Sequence, residues 1–68
     1  MTRRIVFYRT GGTEPVGEFR LDGSAVTATH GVEDLLENAR LRGEADVDVF
    51  ERHAAWTNGY FSSLEVDA

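Results

Sequence analysis

The apolar positions of this chain begin at period two and then lengthen to a helical period. Arg3 to Thr10 holds the run Ile5-Val6-Phe7-Tyr8, rich in β-formers and ended by Gly11-Gly12, which predicts a strand. The stretch Gly11–Gly17, with the only proline at Pro15, reads as a loop. Glu18 to Asp22 alternates polar and apolar positions, placing Phe19 and Leu21 on one face. Asp22-Gly23 predicts a tight turn, where a positive φ is cheapest at glycine, and Ala25 to Thr29 is the return strand. These three strands form a meander.

Val32, Leu35, Leu36 and Ala39 then recur at the spacing of an amphipathic helix. Glu33 and Asp34 open it, Arg40 and Arg42 close it, and Gly43 lies just beyond, an order that suits the helix dipole. Asp46 is placed to cap a second helix running to about Ala55, with Val47, Phe50 and Ala54 on its buried face. A strand through Val47–Phe50 also has the right alternation, but competes with the segment Glu51–Ala55 that follows. Asn58-Gly59 is the next turn. Tyr60 to Val66 closes the chain as a strand, with Tyr60, Ser62, Leu64 and Val66 on one face and Phe61, Ser63 and Glu65 on the other. The expected fold is α+β, in the order β-β-β-α-α-β. It is a small, mostly antiparallel four-stranded sheet with two short helices on one face, in a single domain spanning residues 1–68. The last strand is expected at an edge, beside the first or the third.

A domain of this length buries only about 60% of the surface of its unfolded chain, so it folds with little margin or leans on a partner. The absence of cysteine excludes disulfides, zinc–thiolate sites and thiol nucleophiles. A net charge of −5 and a pI near 4.8 argue against nucleic acid and anionic lipid as partners. The longest unbroken apolar run, Ile5–Tyr8, is too short for a membrane span or the core of a signal peptide. A non-secreted protein is therefore expected.

Candidate chemistry is sparse. His30, Glu33 and Asp34 have helical spacing, but two of them are carboxylates that a first helical turn favours for dipole reasons alone. Asp46 and Asp48 resemble a catalytic carboxylate pair, yet a helix start gives both the same environment, and capping accounts for them better. None of Ser24, Ser62 and Ser63 lies in a G-x-S-x-G context, and nothing in the sequence fixes His53, at the margin of the second helix, beside one of them. Gly11-Gly12-Thr13 lacks the lysine and the following helix of a phosphate loop. No catalytic residue, metal or cofactor is expected.

Aromatic residues are the more distinctive feature. Trp56-Thr57-Asn58-Gly59-Tyr60-Phe61 sets three aromatics around one turn. Tyr60 and Phe61 point to opposite faces at period two, as do Phe7 and Tyr8, so two short helices leave one ring of each pair uncovered. Tyr8, Trp56, Asn58, Tyr60 and Phe61 are the expected partner-binding residues. The first nine residues carry +3 through Arg3, Arg4 and Arg9, whereas residues 35–68 carry −4. Arg3, Arg4, Asp46 and Asp48 are accordingly expected to make electrostatic contacts with a partner or with a second copy of the chain.

The segment Val49–Tyr60, a short helix ending in tryptophan and followed by Thr-Asn-Gly and an aromatic residue, resembles the C-terminal part of small proteins of actinobacteria and their bacteriophages. Some of these are encoded among virion structural genes. The resemblance implies a phage- or prophage-associated structural protein, such as a head accessory or decoration protein, located in the virion or the bacterial cytoplasm, with no catalytic residues. An alternative is a small acidic inhibitor in which Asp46, Asp48 and Glu51 occupy a basic site on a host protein.

Overall fold

The computed structural model describes residues 2–29 and 31–66. The elements are β1 (Thr2–Arg9), β2 (Pro15–Asp22), β3 (Ala25–Ala28), α1 (Glu33–Leu41), α2 (Asp46–Arg52), β4 (Ala55–Thr57) and β5 (Phe61–Val66). All strand pairs are antiparallel, in the order β3-β2-β1-β5-β4. The α+β class and the meander stand as the sequence predicts, but the sheet has five strands. The second helix stops at Arg52, and the next residues pair with β5 as a strand. Ala54 and Ala55 favour a helix by propensity, and tertiary pairing overrides it: Ala54 O accepts the Glu65 N–H at 2.9 Å. As a result β5 is not an edge. It lies between β1 and β4, and β4 takes the outer position.

Paired residues share a face of the sheet. Ile5, Phe7, Phe19, Leu21 and Val26 therefore project to the helix side, where they meet Val32, Leu36 and Ala39 of the first helical segment and Val49 and Phe50 of α2. The helical stripe predicted for α1 is the one buried. In α2 the phase differs: Val49 and Phe50 are buried, and Val47 faces solvent. Gly17, opposite Phe7, lets Val32 approach the sheet, since a Cβ there would lie 2.9 Å from a Val32 methyl. α1 ends in a Schellman arrangement, with Gly43 N–H donating to Arg40 O and Glu44 N–H to Ala39 O, and with Gly43 at φ +84.

Asp46 does not cap α2. Ala45 precedes the helix, and the Asp46 carboxylate accepts from the Val26 N–H at 2.9 Å and from two Arg40 nitrogens at 2.9 and 2.7 Å. Arg40 also donates to Val26 O at 3.0 Å. Val26 and Leu21 form a non-hydrogen-bonded pair, so both main-chain groups of Val26 point off the β3 edge. Asp46 and Arg40 take both.

Arg40 and the Val26 N–H hold the Asp46 carboxyl down at about 2, against 3.8 when unperturbed. A folded pKa below the unfolded one means that this stabilisation is complete above 3.8 and is lost as pH falls towards 2. With Arg40 half-exposed, the loss is about 1–2 kcal/mol. Asp46→Ala should cost about 2–3 kcal/mol at neutral pH, because it strands the Val26 N–H and the guanidinium. Urea unfolding should show this cost shrinking as the pH approaches 2.

Candidate functional site

Among the described residues, no element covers the face of the sheet away from the helices. Register places Arg4, Val6 and Tyr8 of β1 on it, beside Val66, Leu64 and Ser62 of β5. Glu18 and Arg20 of β2 flank them on one side, and Ala55 and Thr57 of β4 on the other. Val6 and Leu64 are direct cross-strand partners. Val6 is only 7% exposed although no helix covers it, whereas Leu64 is 58% exposed. Arg4 and Arg20 both reach the Glu18 carboxylate, at 3.2 and 2.8 Å, and together hold its pKa below the ordinary carboxylate range. The face thus presents a strip of Val6, Tyr8, Leu64 and Val66 beside a charge triad with one positive charge in excess.

The expected partner-binding residues fall in three places. Tyr8 is half-buried on the open face. Phe61 pairs with Arg9 and so shares the helix side with Phe7, opposite to Tyr8; of the Tyr60/Phe61 pair it is therefore Tyr60, not Phe61, that falls on the phase of the open face. Trp56 is also on the helix side, opposite Ser63, with its ring 4.5 Å from that of His53 and 6.1 Å from that of Phe7. Asn58 builds the turn: its Oδ1 accepts the N–H groups of Tyr60 at 3.0 Å and Phe61 at 2.8 Å, and Gly59 takes φ +93. Tyr60 is 79% exposed and shares a shallow notch with Arg9, Asn58 and Phe61.

The expected electrostatic contacts are largely made inside the molecule. Arg3 donates to Glu65 at 2.8 Å and to Glu51 at 2.5 Å, with its guanidinium 5.0 Å from the centre of the Phe50 ring. Arg4 is held by Glu18, and Asp46 by Arg40 and Val26. With Asp46 and Glu51 both engaged, the acidic surface proposed for α2 is reduced to Asp48, which is exposed. Arg3, Arg4 and Asp46, expected to make electrostatic contacts with a partner, thus pair within the chain.

His53 is 3% exposed. Its Nδ1 lies 2.7 Å from Val49 O, and because a carbonyl can only accept, Nδ1 carries the proton. Its ring also lies against Phe7 and Phe19. The Ser63 hydroxyl donates to the His53 carbonyl at 2.7 Å rather than to the ring, so the two do not form a nucleophile–base pair. His30 lies outside the described residues; among those described, no three His, Asp or Glu side chains cluster as metal ligands. No described helix is long and apolar enough to cross a membrane. Comparison with protein-family models, curated proteins and solved structures finds no match to this chain.

The open-face residues Val6, Leu64 and Val66 were not singled out from sequence, although the signal is present. β1 is apolar on both phases, and β5 repeats the pattern at Leu64 and Val66.

Burial pushes the His53 imidazolium pKa below 6.5; the bond to Val49 O opposes this shift, Arg52 adds to it and Glu44 opposes it. Since the folded protein binds the proton less readily than the unfolded chain, stability is full above 6.5 and falls as pH drops below it. His53→Phe should remove this slope in a series of urea unfolding curves, leaving the acid loss due to the paired carboxylates.

Proposed function

We propose that this protein is a non-enzymatic binding module that attaches to a larger protein assembly through the open face of its sheet. The observation that carries this reading is the strip of Val6, Tyr8, Leu64 and Val66, with Leu64 left 58% exposed where no element covers it. The excess positive charge of the Arg4–Glu18–Arg20 triad suits a partner surface with an apolar centre and an acidic rim. The resemblance of residues 49–60 directs the choice of assembly towards a phage particle, in the role of a minor head component.

Leu64→Asp tests this directly. Leu64 is exposed, so the substitution should leave the unfolding midpoint nearly unchanged while weakening co-sedimentation with purified phage particles, or with isolated capsid or tail proteins, by about tenfold or more. Binding unaffected by Leu64→Asp, or absent for every particle tried, overturns the proposal.

A further inference from the structure

The two edges of the sheet differ. On β3, Asp46 and Arg40 occupy the outward groups of Val26, and the α1 side chains Glu33, Leu36 and Glu37 flank the rest of the edge. On β4, the bonds Glu65 N–H to Ala54 O and Asn58 N–H to Phe61 O fix the ladder. Trp56 therefore exchanges its bonds with Ser63, while the pairs Ala55/Leu64 and Thr57/Ser62 are non-hydrogen-bonded. The N–H and C=O of Ala55 and Thr57 point off the sheet, and no partner for them occurs among the described residues. The edge also lacks the usual protection: β4 contains no proline or charged side chain, and residues 53–64 contain no Asp, Glu or Arg in a chain of net charge −5.

We propose that β4 pairs with β4 of a second copy, antiparallel about a two-fold axis through Trp56. Ala55 of one copy then faces Thr57 of the other in a hydrogen-bonded pair, and the symmetric pair repeats it, so the four stranded main-chain groups of each copy all find partners. The Trp56 residues meet as a close non-bonded pair on the helix side, where each ring is only half-buried in the single chain. Charge favours this occupant, because β4 and the turn that follows it carry no acidic side chain, so two chains of net −5 bring no carboxylates of this segment together. α2 packs against β3 and β2 and α1 against α2, and the helix side of β4 borders a hollow lined by Leu35, Asn38, Arg42, Arg52, His53 and Trp56. The occupied β3 edge prevents head-to-tail addition, so the association closes as a dimer instead of growing into a fibre. This inference concerns the edge and stands independently of the open-face reading.

The test is sedimentation velocity of the full chain from micromolar to millimolar concentration, with amide hydrogen exchange at both ends of the range. A monomer–dimer equilibrium is expected, with the Ala55 and Thr57 amides protected only in the dimer. Ala55→Lys, at an exposed site that loses no internal bond, should weaken the dimer by about tenfold or more with an unchanged amide spectrum elsewhere. A monomer at all concentrations overturns the proposal. So does a dimer that leaves those two amides exchanging freely or is indifferent to Ala55→Lys. Protection that appears only on adding phage particles assigns the edge to a foreign strand, and likewise overturns pairing with a second copy.

Discussion

The contact of Asp46 and Arg40 with the main chain of Val26 is the one on which the rest of the architecture depends. Three elements meet there: the outer strand of the meander, the last turn of α1 and the first residue of α2. The guanidinium and the carboxylate supply one donor and one acceptor to the outward pair on Val26, the groups that a sixth strand would otherwise engage. The connection between the helices must therefore be short and sharply turned, and Gly43 and Glu44 provide this through the Schellman bonds. With α2 anchored at its start, Val49 and Phe50 are delivered to the core and Val47 is left in solvent. The phase of α2 is thus set by a hydrogen bond to a strand, not by hydrophobic periodicity.

This explains which parts of the molecule the sequence made legible. The meander and α1 follow from local signals: period-two alternation, Asp22-Gly23, and the Val32–Ala39 stripe closed by Gly43. Asp46 carries an equally local signal, that of a cap, and the signal misleads because its partner lies twenty residues away in β3. β4 fails for a related reason. Three residues so soon after a helix, with alanines on their helical side, carry in Trp56 and Thr57 too short a β-forming run to mark a strand; pairing with Ser62, Ser63 and Leu64 across the ladder makes it one. Once β4 forms, the position of β5 changes from edge to interior. The alternation of β5 is readable in the sequence, but which of its two phases faces the helices is not; the register with β1 puts Phe61 on the helix side.

The charge pattern is understood in the same way. Arg3, Arg4 and Arg40 lie far along the chain from most of the carboxylates they meet, so a count of local charge shows asymmetry where the fold has pairing. Arg3 joins β1 to α2 and β5 through Glu51 and Glu65, and Arg4 joins β1 to β2 through Glu18. Pairs of this kind at half-exposed positions contribute little stability singly. Their larger effect is to set where charge is absent.

The open face shows how a sheet with one helical layer stays in solution. Val6 stands at its centre and is nearly covered, flanked by Arg4 and by its cross-strand neighbours Glu18 and Leu64. The triad closes the β2 side of the strip and Leu64 bears the exposure on the β5 side. Beyond Leu64 the face continues through Ala55 to the unprotected edge of β4. A molecule built this way has the Arg40–Asp46 and Arg4–Glu18–Arg20 groups on its β3–β2 side and an uncharged strand at β4. That division follows from the helices being short and fixed to β3: moving them towards β4 would cover Trp56 and the edge, but would break the bonds to Val26 that hold both helices in place.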